Sequence, residues 1–322
     1  MDFTDILGHE RQIDSLKSAI EKGTISHSYL FEGEEGLGKR DLALVFAKTL
    51  LCEEGKSEPC NKCSSCRKFD GDNHPDFKIT RPVKNLIKIE KVGELIKDMA
   101  TRPLEGRRKI YIIDDCHTLR LESQNALLKT LEEPPEYINI ILITPFKNKI
   151  IPTILSRCQI VKFYPLKGSV ITNLLVEKYS IDQSEASFIG AFAKGSLRKS
   201  IEYATSGKLF EKRDEIIKII DALIKGDKTR ALTSLNFFSE NKENAEEILD
   251  IMIYWFRDLL VFKETGNPNL LVNVDKVEVL SSQYHIDLNK INDIIYRIDE
   301  TKVNIKRNVN FNLLIETMLL SI

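Results

Sequence analysis

The stretch HSYLFEGEEGLGKRDLALVFAKTLLC, residues 27–52, reads as a strand, a glycine-rich turn and a helix in succession. A short apolar run precedes Gly33, and apolar residues recur at helical spacing after Asp41. That order begins a βαβ unit. The spacing Gly33-x4-Gly38-Lys39, with Gly36 between, is that of a phosphate-binding loop. Glycines let backbone N–H groups turn toward phosphate oxygens, the helix N-terminus adds its dipole, and the lysine reaches the β and γ phosphates. The motif departs from the full pattern at one position. Arg40 stands where a serine or threonine hydroxyl would bind magnesium, and a guanidinium has no lone pair to offer a metal.

Outward from this loop, KIYIIDD (109–115) reads as a buried strand ending in two acids, and INIILIT (138–144) as another. Asp114 falls where an aspartate would hold magnesium through water. Asp115 falls where an ATPase usually has a glutamate to orient the attacking water, and it is one methylene shorter. The degenerate nucleotide site would thus comprise Gly33, Gly36, Gly38, Lys39 and Asp114, with nucleotide binding left open and hydrolysis by this chain alone not expected. Residues 4–22 read as an amphipathic helix with Ile13, Leu16 and Ile20 on one face. FKITRP (77–82) and IKIEKV (87–92) show apolar alternation. The helix in ESQNALLKTLEEPP stops at Pro134 and Pro135. Alternating strands and helices predict a parallel sheet covered on both faces. Beyond about residue 165 the strand signals fade and helical patterns take over. Three domains are expected: an α/β domain over 1–165, a small helical domain over 166–205 and a larger helical domain over 206–322.

Residues 53–74 interrupt the α/β pattern as an inserted, cysteine-rich module. Cys52, Cys60, Cys63 and Cys66 are spaced C-x7-C-x2-C-x2-C, with only Cys116 and Cys158 elsewhere. Four soft ligands fill a tetrahedral zinc shell and leave no open position for a reactive water, so the expected site is structural zinc. His74, in a loop before Pro75, reads as a solvated residue.

Composition sets the remaining bounds. At 322 residues the chain is too long for one ordinary core. A formal net charge of -1 excludes a global field that would draw it onto nucleic acid. The basic stretch RPLEGRRK (102–109) reads as a solvated loop. No apolar run approaches the roughly 20 residues of a membrane span, and the start lacks the pattern of a signal peptide. A cytoplasmic protein is expected, where thiols stay reduced and clustered cysteines suggest metal.

NALLKTLEEPP (125–135), ILITPFKNKIIPTILSRC (141–158) and GSLRKSIEYA (195–204), together with the cysteine module, resemble the clamp-loader group of AAA+ proteins. The resemblance covers nearly the whole chain. It implies a P-loop AAA+ domain with a zinc module, a helical lid and an all-α collar where subunits oligomerise. It implies a place in a hetero-pentameric ring with gamma/tau-type motors and a delta subunit, which loads a sliding clamp onto primed DNA. Such a chain is not catalytic alone but is a component of a DNA-directed DNA polymerase (nucleotidyltransferase) holoenzyme. Arg157 matches the family's arginine finger, flanked by Ser156 and Cys158. Thr144 and Arg198 match the two sensor positions. Tyr254, Trp255 and Phe256 would belong to the collar core or an interface. The altered Arg40 and Asp115 set the chain apart from the motor subunits; the alternative reading is an ATP-hydrolysing, gamma/tau-like member.

Overall fold

The computed structural model describes residues 1–307 and 309–322, with side chains described throughout except at 228 and 230–232. The chain divides into two compact units, Met1–Leu166 with Gly195–Arg198, and Lys167–Lys194 with Lys199–Ile322.

The first unit is built on five parallel strands, β1 (Ser28–Glu32), β2 (Phe77–Thr80), β3 (Lys109–Ile113), β4 (Ile138–Thr144) and β5 (Gln159–Lys162). Their order across the sheet is β2-β3-β4-β1-β5, and every pairing is parallel. Every residue of β3 and β4 is buried, as central strands covered on both faces require. Strand alternation sends Tyr29, Phe31, Ile110, Ile112, Ile141 and Ile143 to one face, against helices α1 (Glu10–Glu21) and α2 (Lys39–Leu51). Leu30, Tyr111, Ile113, Ile140 and Leu142 go to the other face with residues of α4 (Ile89–Met99) and α5 (Leu121–Glu132). Short α3 (Ser64–Asp70) lies in the cysteine module, and α6 (Pro152–Leu155) precedes β5.

The expected parallel α/β architecture is present, with three local differences. The helix expected over 4–22 starts only at Glu10, because Gly8 and His9 take left-handed conformations, φ 67° and 62°. The alternation of 87–92 is the opening of helix α4, not a pleat. Ile87, Val92, Leu95 and Met99 are buried, so the helical spacing emerges only when the window is extended. Strand β5 escaped the sequence reading: its residues are exposed save Val161, as suits a short edge strand.

The second unit is all helical: α7 (Gly168–Tyr179), α8 (Gln183–Phe192), α9 (Leu197–Ser206), α10 (Lys208–Ile224), α11 (Lys228–Glu240), α12 (Ala245–Thr265), α13 (Val277–Ser282), α14 (Leu288–Lys306) and α15 (Phe311–Leu319). Helix α9 begins in the residues grouped with the sheet and continues here. Helices α7 and α8 pack closely because Gly190 lacks a side chain; a Cβ there would lie 2.7 Å from the Gly168 carbonyl oxygen. In α12, Trp255 and Phe256 are buried and Tyr254 is half-buried. The Trp255 indole donates to Gln283 Oε1 at 2.9 Å, and Tyr254 donates to the Ala191 carbonyl at 3.3 Å. Trp255 and Phe256 are core residues of this unit. No helix among the described residues is long and apolar enough to cross a membrane.

Candidate functional site

The phosphate loop leaves the C-terminal end of β1 and enters α2 at Gly38, which caps the helix with φ 83° and no side-chain acceptor. The first N–H groups of α2 therefore face outward without intrahelical partners. Lys39 folds back on the loop. Its ammonium donates to the carbonyls of Gly33, at 2.5 Å, and Glu34, and it is only 6% exposed. Burial pushes its pKa below the ordinary lysine value, against the pull of nearby Asp115, Glu35, Asp114 and Glu34.

Arg40 and Asp114 meet. The Arg40 Nε donates to Asp114 Oδ2 at 2.5 Å, and a terminal guanidinium nitrogen reaches the same oxygen. Arg81 Nε stands 3.9 Å from the same oxygen. Asp114 is 3% exposed, so its charge is compensated by a built-in cation. Asp115 takes a left-handed conformation and starts the turn to Thr118, whose N–H and hydroxyl both donate to the Asp115 carbonyl.

The two sensor-position residues lie beside the loop. Thr144 ends β4 opposite Glu32. Its carbonyl accepts from Gly33 N–H at 3.3 Å, and its hydroxyl accepts from Phe146 N–H at 2.9 Å. Arg198 has an exposed side chain, and its N–H donates to the Gly36 carbonyl at 3.3 Å. Sequence reading missed His9, whose Nε2–H donates to the Leu37 carbonyl at 2.8 Å while its ring edge packs on Phe163. Placed inside an expected helix, His9 carried no local signal of this tie.

Arg157 lies elsewhere. It precedes β5, and the register Tyr29↔Gln159 puts it at the N-terminal end of the sheet. The phosphate loop leaves from the C-terminal end. The Ser28 hydroxyl holds the Arg157 carbonyl at 2.5 Å. The guanidinium reaches Glu132 Oε1 at 2.7 Å, the Thr153 carbonyl at 2.8 Å and the Ser156 hydroxyl at 3.4 Å. Burial pushes the neighbouring Cys158 thiol up to about 11.

Helix α2 connects the loop to the cysteine cluster, because Cys52 caps its far end. The sulfurs of Cys52, Cys60, Cys63 and Cys66 lie within 4.8 Å of one another, and none is in a disulfide. A tetrahedral shell with bonds of about 2.3 Å separates its sulfurs by roughly 3.8 Å; Cys60 and Cys66 are 4.0 Å apart. Backbone N–H groups of Cys60, Cys63 and Cys66 donate to the sulfurs of Cys52, Cys60 and Cys63 at 3.3–3.4 Å. N–H donors, that of Lys62 foremost, pull Cys60 down to about 7, whereas burial pushes Cys52 and Cys66 up. Buried thiols of this kind ionise readily only beside a cation, so the donor set fits a thiophilic metal.

His74 is buried, contrary to the expectation of a solvated loop residue. Its Nδ1 accepts from Asp76 N–H at 3.1 Å, and Nε2 lies 2.9 Å from the Ser65 hydroxyl. Ser65 donates to the Leu51 carbonyl at 2.6 Å, which assigns the proton to His74 Nε2. The residue is thus a neutral tie between α3 and the approach to β2, outside the cysteine cluster. The basic loop is exposed over residues 104–107, as expected of a solvated loop, and it is also anchored at several points. Its 104–106 N–H groups bind the Asp76 carboxylate, Arg108 donates to Asn139 and Lys109 is buried beside Asp98.

Two family patterns match the chain: "DNA polymerase III, delta subunit" over residues 8–167 and "DNA polymerase III, delta subunit, C terminal" over 208–322. DNA polymerase III subunit delta′ of Bacillus subtilis is 32% identical over 319 residues, covering 96% of this chain and 94% of the relative. The tau subunit of the same organism is 30% identical over 300 residues, covering 86% of this chain and 53% of tau; the chain thus spans about half of that relative. A solved structure of a gamma subunit-related protein from Thermotoga maritima aligns at TM-score 0.45 and 20% identity, over 96% of this chain and 97% of that one. With a delta′ relative matched over nearly the full length of both chains, and a five-stranded parallel sheet followed by helices, the chain belongs to the delta′ family of DNA polymerase III clamp-loader subunits.

Proposed function

We propose that this chain is a non-hydrolysing member of a clamp-loader ring, supplying Arg157 in trans to the ATP site of a neighbouring gamma/tau-type subunit. The ring, completed by a delta subunit, loads the sliding clamp onto primed DNA. In this reading residues 166–205 are the lid, residues 206–322 the collar that joins the subunits, and the cysteine cluster holds structural zinc.

The observation that carries the reading is the separation of Arg157 from its own phosphate loop. By the β1–β5 register Arg157 stands level with His27, six residues before Gly33. At about 3.3 Å per residue that is on the order of 20 Å along the strand, too far for a guanidinium to reach its own loop. Its tether to Glu132 is partly exposed, and such pairs are worth about 0–1 kcal/mol, so release toward a neighbour costs little. A guanidinium placed against a γ-phosphate neutralises charge that develops in transfer. The alternative, a gamma/tau-like ATPase, needs Asp114 free to hold magnesium, and Arg40 covers it.

The test is a ring reconstituted with gamma/tau and delta subunits, clamp and primed DNA, containing Arg157→Ala. ATP turnover at the adjoining site should fall by about 10³-fold or more, the scale of arginine fingers, while the ring still assembles. Unchanged turnover of an assembled ring rules the reading out, as does substantial hydrolysis by the isolated chain.

A further inference from the structure

The residues around the degenerate loop do not suit the ion that such loops ordinarily bind with nucleotide. Magnesium at a phosphate loop takes a hydroxyl at the position after the lysine and is steadied by the aspartate at the end of the neighbouring strand. Here the hydroxyl position is Arg40, which has no lone pair. The aspartate is Asp114, whose Oδ2 already receives the Arg40 Nε at 2.5 Å and a second guanidinium nitrogen. A dication near Asp114 would meet this fixed positive charge, with Arg81 3.9 Å from the same oxygen. Lys39 is retained, bonded to the loop's own carbonyls.

We propose that Arg40 takes the place of the divalent cation, so that this phosphate loop is closed to magnesium whatever nucleotide it meets. The same residue that removes a metal ligand also supplies the positive charge that the metal would have brought. Asp114 is then kept as the partner of an internal cation, and a nucleoside polyphosphate encounters the loop without a metal in the complex. The proposal rests on reading residues 33–40 as a phosphate loop and is independent of the role given to Arg157.

ADP binding to the full chain, titrated in magnesium and again in EDTA, tests it. For the unaltered chain the two titrations should agree within two-fold, whether the affinity they report is measurable or nil. Arg40→Thr restores the hydroxyl and uncovers Asp114. Its ADP affinity should be at least ten-fold higher in magnesium than in EDTA, with Arg40→Ser behaving alike. A magnesium-dependent affinity in the unaltered chain overturns the proposal. So does a folded Arg40→Thr or Arg40→Ser chain without magnesium dependence, which would make Arg40 a structural tie and no more. Should both variants fail to fold, manganese titrated into the unaltered chain decides: no paramagnetic broadening of the Gly33–Arg40 amides is expected, and broadening there overturns the proposal. Failure here leaves the Arg157 reading standing, because that is measured at a neighbour's site.

Discussion

Lys48 extends from α2 into the cysteine module and places its ammonium 2.7 Å from both carboxylate oxygens of Asp70, while itself being only 2% exposed. Asn61 Oδ1, at 2.6 Å, completes its surroundings with the more distant Met1 carbonyl. The Asp70 side chain is 48% exposed, so the two partners do not depend on each other equally. Asp70→Ala strands a buried cation and should cost about 3 kcal/mol. Lys48→Met leaves a carboxylate that water can solvate and should cost about 1 kcal/mol. Urea unfolding of both variants checks the order, and a larger loss for Lys48→Met would contradict it.

The cysteine cluster should yield one equivalent of metal from protein purified without chelator, and zinc is the expected ion. Removing it with a strong chelator should make the thiols of Cys52, Cys60, Cys63 and Cys66 reactive toward a colorimetric thiol reagent. The chain has one tryptophan, Trp255, and it lies in the helical unit. Its fluorescence should therefore stay unchanged while the thiols react. Four freely reactive thiols before any chelation would refute a metal centre.

Asp76 gives a prediction in pH. Burial alone would raise its pKa, but N–H donors from Gly106, Leu104 and Glu105 outweigh burial and hold it below the usual carboxylate value. A depressed folded-state pKa gives stability that is present above about pH 4 and fades as pH falls through the folded value. Asp76→Asn should cost about 2 kcal/mol at pH 7, from weaker hydrogen bonds to the 104–106 loop. The gap from the unaltered chain should narrow as the pH drops below about 4. A gap that stays constant into acid would show that the carboxylate charge is not what holds the loop.

Gly36 has φ 78°, and a Cβ built on it would lie 2.1 Å from the Ser196 hydroxyl oxygen. Gly36→Ala is expected to disfavour the loop conformation and push the 195–198 segment away, at about 1–3 kcal/mol. Thermal unfolding and hydrogen exchange at Arg198, whose N–H donates to the Gly36 carbonyl, report both effects. Unchanged protection at Arg198 would argue against this contact.

Much of the first unit was legible locally. Ile110 to Ile113 and Ile138 to Ile143 are unbroken buried runs, and a run of that kind needs cover on both faces wherever it lies in the chain. The four cysteines stand out because closely spaced C-x2-C pairs can bring thiolates to one side of a turn. Other features were hidden. The alternation at 87–92 fits a strand over six residues and a helix over eleven. His74 resembles any loop histidine until Ser65 and Asp76 close around it.

Residue chemistry and short spacing alone put Arg40 where a phosphate loop has a hydroxyl and Arg157 in the middle of a Ser-Arg-Cys segment. Where those cations go depends on the fold. Arg40 finds Asp114 across 74 residues because the loop after β1 and the end of β3 open at the same, C-terminal end of the parallel sheet. Arg157 is sent to the opposite, N-terminal end because β5 runs parallel to β1, so the residue before one strand lies far from the loop after the other. Strand direction and register, set by hydrogen bonds between segments distant in the chain, have no local signature in the residues they bring together or keep apart.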